Sequence, residues 1–550
     1  MNIIYFLLNK FFQEEFVNTI LMILTSFTIN TFQANGISLI TANIIDFIQK
    51  NNKKSVMLYF QYFILLSVSF IVLYAIYKYF QNKLLTKLRQ WMRHQLITVM
   101  LIANNENMSD INFAQMNSPI NRVSSISFMV FNDLIAYFLP NFSFLFIISM
   151  YFLYQNKLFG LGFIFGNLLI AVYLYLIWDD LLIHNNEYER VVNNVEKYLQ
   201  ELLNNLDKVI YRAEINNEMD TFLDKTKESI HGAYTFYFNT NFHGVVMNIM
   251  LFAIIFVSIW YLIVLYFSKK IELTIFITFF TILLLYRDKM IVLIQQIPDF
   301  LEFIGQSKSL LTEFNDVGEK YHLATKTKYS VFELPLDKIR FENVSFQYKS
   351  SQVPVLQNIN IIMNMQNKII GITGLSGNGK SSFIKLILKL YKCSGGKIYI
   401  DEQNIEDIDP EYIRKNLVYI NQSSKLFDKK VIENMLYGCD NVDICQQRLH
   451  EIMKYGKVNE LFKKMNIHTK NAGPLGENLS GGQRQIINVI SGLVSNSKIL
   501  ILDEPTNALD NELKIELLNI IRDFRKYKKC IIIITHDRDV YGLFDETIYI

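Results

Sequence analysis

The chain has 550 residues, of which 51% are hydrophobic and only 19% charged, and its mean hydropathy is +0.19. Such an apolar composition over this length excludes an ordinary soluble enzyme and makes a membrane protein the leading class. The formal net charge of +3 is small for this length and argues neither for nor against an acidic partner; the partners expected below include no nucleic acid.

In chain order, charge-free runs cover 16–45, 55–77, 134–154, 158–178 and 244–267. Each reaches the roughly 20 residues that a helix needs to cross a hydrocarbon core of about 30 Å. A sixth run, 273–298, has the right length only with Arg287, Asp288 and Lys289 inside it. Nothing before the first run reads as a cleavable signal, so 16–45 is taken as a span. Six spans return the chain to its starting side. The loops 78–133 and 179–243 are long and charged. In the second, Val195, Tyr198, Leu199, Leu202, Leu203, Leu206, Val209 and Ile210 recur at helical spacing, which predicts membrane helices that continue well beyond the lipid.

After Pro298 the texture changes. A polar stretch, 305–336, reads as a linker between a helical membrane domain, 1–304, and an α/β domain, 337–550. The latter opens with alternation at Ile339, Phe341, Val344, Phe346 and Tyr348, the mark of a strand. All four cysteines, Cys393, Cys439, Cys445 and Cys530, fall in this last part. Their spacing matches neither a zinc site nor a disulfide ladder, as expected for a reducing compartment.

The first chemical motif is GLSGNGKSS, which follows an apolar strand, Lys368 to Thr373, and leads into the helical Phe383 to Leu390. It fits the phosphate-binding loop. Gly374, Gly377 and Gly379 let the backbone curl, so that amides of the loop, with Leu375, Ser376 and Asn378, face phosphate oxygens together with a helix N-terminus. Lys380 adds charge at the β and γ phosphates, Ser381 offers a hydroxyl to Mg2+, and Ser382 closes the loop. The second motif, ILILDEPTNALD, ends a buried strand on Asp503, placed to hold the Mg2+ water shell, and Glu504, placed to polarise the attacking water.

The third motif, LSGGQRQ from Leu479 to Gln485, completes a set that resembles the ATP-binding cassette (ABC) transporters along essentially the whole chain. The resemblance implies a multidomain fold: an all-α membrane domain of six helices with cytosolic extensions, joined to an α/β P-loop NTPase. It further implies that Tyr348 stacks on adenine, that Gln422 in YINQ senses Mg2+ and the membrane domain, and that His536 is the switch histidine at the γ-phosphate. Ser480, Gly481, Gly482, Gln483 and Asp510 would act in trans, because in this family the signature of one copy closes over the phosphate loop of the other. The expected cofactors are ATP and Mg2+, the latter held by Ser381, Gln422 and Asp503, and a dimer is required. Since no motif is degenerate, a homodimer is preferred, with a heterodimer as the alternative. Two family features are altered: the arginines that usually follow the signature are replaced by Ile486 and Ser491, and the segment between Glu477 and Leu479 is short.

Six spans before one cassette resemble an exporter half-transporter. The expected function is ATP-driven export of a small-molecule, lipid or peptide substrate. The expected location is the lipid bilayer of a bacterial plasma membrane, with cassette and N-terminus in the cytosol. The competing reading keeps the ATP chemistry but makes the membrane part a gated channel or regulator. Short helices resting on the cassettes are expected near Asn104 to Asp110 and Tyr211 to Asp220. Arg287 lies 14 residues from Leu273, about 21 Å along a helix and thus in the inner part of the membrane. Two readings stand: in one, Arg287 or Asp288 faces a central cavity, with Lys289 snorkelling to the interface and Asp133 as a second cavity charge; in the other, the long side chains all snorkel to the interface and Asp288 merely pairs with a neighbour.

Overall fold

A computed structural model describes residues 3–106, 117–330, 333–348, 351–375, 377–423 and 425–550. Two compact units emerge: Met1–Val99 with Phe113–Gly318, and Met100–Asn112 with Glu319–Ile550.

The first unit is helical. It contains α1 (Ile3–Glu14), α2 (Phe16–Thr31), α3 (Ser38–Gln49), α4 (Lys53–Ala103), α5 (Asn117–Asp133), α6 (Leu139–Gln155), α7 (Lys157–Asn204), α8 (Leu206–Tyr211), α9 (Ile215–Phe267), α10 (Leu273–Gln295) and α11 (Ile297–Ala324). Among the described residues, four helical stretches are long and apolar enough to cross a membrane by length and composition: Lys53–Ala103, Ile120–Gln155, Lys157–Asn204 and Ile215–Phe267. The first apolar run is instead α2 and α3 joined by a π-helical turn, Phe32–Ile37, and the last is the charged helix α10. With 48 and 53 residues, α7 and α9 are each about 70–80 Å long, more than twice the hydrocarbon thickness, so they extend far beyond it as their periodicity requires.

Aromatic rings hold the centre of this unit. Phe152 of α6 meets Phe279 of α10 at 4.6 Å and Phe159 and Phe163 of α7 at 4.9 and 5.0 Å. The wholly buried Tyr286 donates to Asn167 Oδ1 at 2.7 Å, so its hydroxyl remains satisfied in an apolar setting. The stretch 305–336, read as a linker, begins as helix: α11 continues to Ala324, with Phe314 and Val317, three residues apart, both buried. One expectation needs correction. The tip of the second long loop lies earlier than Tyr211 to Asp220. The helix breaks at Asn205, and α8 ends in a turn with Ala213 at φ 57° before α9 begins. Periodicity carried across this break because apolar residues fall in step on both sides of it.

The second unit contains two sheets. Strands β1 (Lys338–Phe346), β2 (Leu356–Asn364), β4 (Gly395–Ile400) and β5 (Gln403–Asn404) form an antiparallel sheet in the order β2-β1-β4-β5. Strands β3 (Lys368–Thr373), β6 (Leu417–Ile420), β7 (Ile499–Asp503), β8 (Cys530–Ile534) and β9 (Glu546–Tyr549) form a parallel sheet in the order β6-β7-β8-β3-β9. Every residue of β7 and β8 is buried, the continuous apolar pattern of a parallel sheet covered on both faces. The helices are α12 (Lys380–Ile387), α13 (Pro410–Asn416), α14 (Val431–Met435), α15 (Val442–Ile452), α16 (Gly456–Met465), α17 (Gly481–Val494) and α18 (Asn511–Phe524). The carboxyl ends of parallel strands are where such folds bind ligands, and both motif loops emerge there.

Residues Met100–Asn112 group with this second unit. Arg414 of α13 donates to Asn105 O at 2.7 Å and to Asn105 Oδ1 at 2.6 Å. Glu106 receives Lys389 Nζ at 2.8 Å and Tyr329 OH at 2.6 Å. The segment expected at Asn104 to Asp110 is therefore anchored at its first residues, and 107–110 lie outside the described ones.

Candidate nucleotide-binding site

The loop leaving β3 reverses sharply, with Gly374, Gly377 and Gly379 at φ 147°, 89° and 88°. These are left-handed values that favour glycine. At Gly379 a Cβ would also lie 2.8 Å from Val355 Cγ1, so the turn leaves no room for a side chain. Lys380 is 7% exposed and donates to the carbonyls of Gly374 and Leu375 at 3.0 and 2.8 Å, folding its ammonium back over the loop. Ser381 Oγ donates to Asp503 Oδ2 at 3.0 Å, which joins the phosphate loop to the end of β7. Tyr348 OH and Ser382 Oγ are 2.7 Å apart, and the ring stands edge-on to Phe346 and Tyr391. Ser376 lies outside the described residues.

Glu504 follows β7 in a left-handed conformation, φ 51°, that costs an ordinary side chain about 1–2 kcal/mol. Its position is fixed by its own N–H to Ile534 O at 2.9 Å, by Thr535 Oγ1 donating to its Oε2 at 3.1 Å, and by His536 Nδ1 lying 3.0 Å from its Oε1. Burial chiefly holds this carboxyl above its ordinary pKa, and the neighbouring Asp503 charge adds to the effect while His536 opposes it. Glu504 is 3% exposed whereas His536 is mostly exposed, which suits a proton acceptor beside a group that can meet an incoming ligand.

The signature begins α17. Ser480 caps it: its Oγ accepts from Gln483 N–H at 3.3 Å, while Gln483 Oε1 accepts from Ser480 N–H at 3.0 Å. Ser480 and Gly481 are exposed and Gly482 and Gln483 half-buried, so the signature lies at the surface of its own chain. Gln422 lines a groove with Lys425, Gly481, Arg484 and Gln485. Asp510 caps α18 by accepting from Leu513 N–H at 2.9 Å.

Two residues of this site escaped the sequence reading. Tyr419 of β6 donates to Asp503 Oδ2 at 2.7 Å. Gln485 donates to Glu504 O at 2.5 Å and accepts from Ala508 N–H at 3.0 Å, tying the signature helix to the loop after β7. Both stood inside quoted motifs, but only the fold reveals their partners.

The Ser381 hydroxyl and the Tyr419 phenol converge on one oxygen of the Asp503 carboxylate, a cluster of hard oxygens of the kind that suits Mg2+. Ser381 and Asp503 would hold the ion, whose charge would neutralise phosphate oxygens. Gln422 is not among their hydrogen-bond partners.

In the membrane unit, Arg287 and Asp288 pair with each other, Nη2 to Oδ1 at 2.8 Å, and Asp288 is exposed. Lys289 Nζ lies 5.6 Å from the centroid of the buried Phe144 ring, whose quadrupole attracts it. Asp133 is 7% exposed, beside Asn132 Nδ2 at 3.4 Å. The cysteines also depart from expectation, because Cys439 and Cys445 form a disulfide. Six residues apart, they are brought together by the turn between α14 and α15.

A membrane region of long helices and a phosphate-loop cassette define an integral multi-pass membrane protein with a nucleotide-binding domain. The profile of the ABC transporter transmembrane region matches residues 20–290 and that of the ABC transporter cassette matches residues 356–507. The chain belongs to the ABC transporters, with the exporter half-transporter arrangement of one membrane domain fused to one cassette. It is 28% identical over 361 residues to the mating factor M secretion protein of Schizosaccharomyces pombe, covering 64% of this chain and 26% of that one. It is 25% identical over 330 residues to the ATP-dependent lipid A-core flippase of Saccharophagus degradans, covering 58% and 52%. The chain thus spans between about a quarter and a half of these curated relatives. A bacterial Atm1-family ABC exporter with ATP bound has the same fold, with a TM-score of 0.79 at 18% identity, covering 98% of this chain and 93% of that one.

Proposed function

We propose that this chain is an ATP-driven exporter that works as a homodimer and moves an apolar or amphipathic substrate out of the cytosol. The observation that carries the reading is the junction at the end of β7, where Ser381 meets Asp503 while Glu504 stands beside His536. Lys380 and the loop amides bind the nucleotide phosphates, Glu504 orients and deprotonates the attacking water, and His536 senses the γ-phosphate. The exposed Ser480 of each copy completes the site of the other, so closure of two cassettes precedes turnover. Asn105 and Glu106, gripped by Arg414, Lys389 and Tyr329, carry that closure toward the membrane helices. The names of two relatives, a mating factor secretion protein and a lipid A-core flippase, favour an amphipathic cargo.

The test is ATP-driven accumulation of amphipathic probes in sealed inside-out vesicles. Uphill uptake that is lost in Glu504→Gln supports the exporter. ATP turnover with only downhill flux replaces it with a gated channel.

A further inference from the structure

The disulfide between Cys439 and Cys445 lies outside the nucleotide site and has no part in the cycle above. Cys439 sits half-buried in the turn after α14, and Cys445 is wholly buried in the first turn of α15. Their Cα atoms are 6.5 Å apart. Cys445 shares a core with Leu449 and Ile452 of its own helix and with Ile490, Leu493 and Val494 of the signature helix. One turn further along α15, Arg448 donates to the carbonyls of Val494 and Ser495 at 3.1 and 2.6 Å, the final acceptors of α17. Lys528 donates to Ser495 O at 2.6 Å from another side. The bridge ties the turn after α14 to the first turn of α15, and α15 in turn holds, through Arg448 and its apolar face, the carboxyl end of the helix whose other end is the signature and whose Gln485 touches the loop after β7.

A cassette that uses cytosolic ATP faces a reducing compartment, where structural disulfides are rare and those that form are usually redox-sensing or catalytic. This step rests on the exporter reading above. The site also accommodates the reduced state: Cys445 Sγ lies 3.7 Å from Asn496 Oδ1, an acceptor ready for a thiol. The other two cysteines are poorly placed to compete. Cys530 is buried, with its thiol pushed up to about 12, and burial raises Cys393 as well.

We propose that Cys439 and Cys445 are a reversible dithiol–disulfide site that responds to the glutathione couple, and that the disulfide keeps the signature helix seated. Formation proceeds by two exchanges. The Cys439 thiolate attacks one sulfur of glutathione disulfide, breaking its S–S bond and releasing a glutathione thiolate. The Cys445 thiolate then attacks Cys439 Sγ in the mixed disulfide and releases the second glutathione thiolate. Two protein thiols are oxidised, one glutathione disulfide is reduced, and two protons leave the protein thiols for the departing thiolates.

The full chain in lipid nanodiscs is equilibrated across glutathione/glutathione disulfide ratios, acid-quenched, unfolded and labelled with a maleimide–polyethylene glycol. Four reactive thiols at the reducing end, falling to two in a single two-electron transition, are expected, with mass mapping to Cys439 and Cys445. Four thiols at every ratio, or two that no ratio restores, overturn the site. In the same samples, reduction is expected to speed amide exchange in the first turn of α15 and the last turn of α17 at least fivefold and to lower ATP turnover at least twofold. Cys439→Ser should behave as reduced at all ratios. Equal exchange and turnover in both states overturn the control of the signature helix. If the chain hydrolyses no ATP at all, the exporter reading fails while thiol counting and exchange still decide this one.

Discussion

Tyr419 OH donates to Asp503 Oδ2 at 2.7 Å, and Ser381 Oγ reaches the same oxygen at 3.0 Å, so one carboxylate oxygen joins β6, the phosphate loop and β7. Removing the phenol leaves the packing of the ring and takes away one charge-assisted bond, about 1.5–3 kcal/mol. Tyr419→Phe should weaken Mn2+ binding in the presence of nucleotide at least fivefold by electron paramagnetic titration, with metal-free nucleotide binding unchanged. Unaltered metal affinity would show that Ser381 alone aligns Asp503.

Glu504→Gln separates chemistry from stability. The carboxamide cannot accept a proton from water, so turnover should fall at least a hundredfold while nucleotide binding is kept. Lys380→Ala should weaken binding itself. The raised pKa of Glu504 sets the pH dependence. Because the folded group keeps its proton above the unfolded value of 4.5, folding loses free energy as pH rises from there through the folded value, and the loss is complete above it. Glu504→Gln should accordingly raise the thermal midpoint at pH 7.5 and leave it close to wild type at pH 4. The same increment at both pH values would assign the gain to packing rather than to charge burial.

The motifs were legible because phosphate binding needs neighbouring residues on one continuous loop: Gly374 to Ser382 is a local instruction, and so is Ser480 with Gln483. Partners far apart in sequence were not. Tyr419 and Asp503 are 84 residues apart, and their meeting depends on β6 lying beside β7. The Cys439–Cys445 bridge was missed for the opposite reason: over six residues, only the path of the turn decides whether two sulfurs meet. The continuation of α11 to Ala324 was hidden by its polar composition, since composition reports exposure better than it reports helix.

Asn105 and Glu106 are held by Arg414, Lys389 and Tyr329, hydrogen-bonding and charged groups that suit a contact that must transmit displacement. Arg414→Ala removes both bonds to Asn105, and Glu106→Gln removes the charge that Lys389 and Tyr329 face. Each should reduce cargo-stimulated ATPase at least threefold and leave basal ATPase within twofold, because neither residue touches the nucleotide loop. Equal loss of both rates would place these residues in the stability of the cassette.

Arg287 and Asp288 satisfy each other, and this reshapes the question of why α10 carries charge. The ion pair and a cavity contact are separate properties of these residues, and a double-mutant cycle reads them separately, the first in folding and the second in cargo stimulation. If the pair is structural, Arg287→Gln and Asp288→Asn each strand a charge in or near the membrane, and the double variant recovers folded yield and thermal midpoint. If either residue meets cargo, the double variant folds but loses cargo-stimulated ATPase, by at least threefold. Lys289 supplies the control. Its place over Phe144 is an internal contact, so Lys289→Met should keep cargo stimulation and change only the thermal midpoint, by the small amount that an exposed-to-partly-desolvated cation–π contact of about 0.5–2 kcal/mol allows. The expected outcome is recovery of folding in the double variant together with loss of stimulation. Recovery of both would assign the charges wholly to the helix.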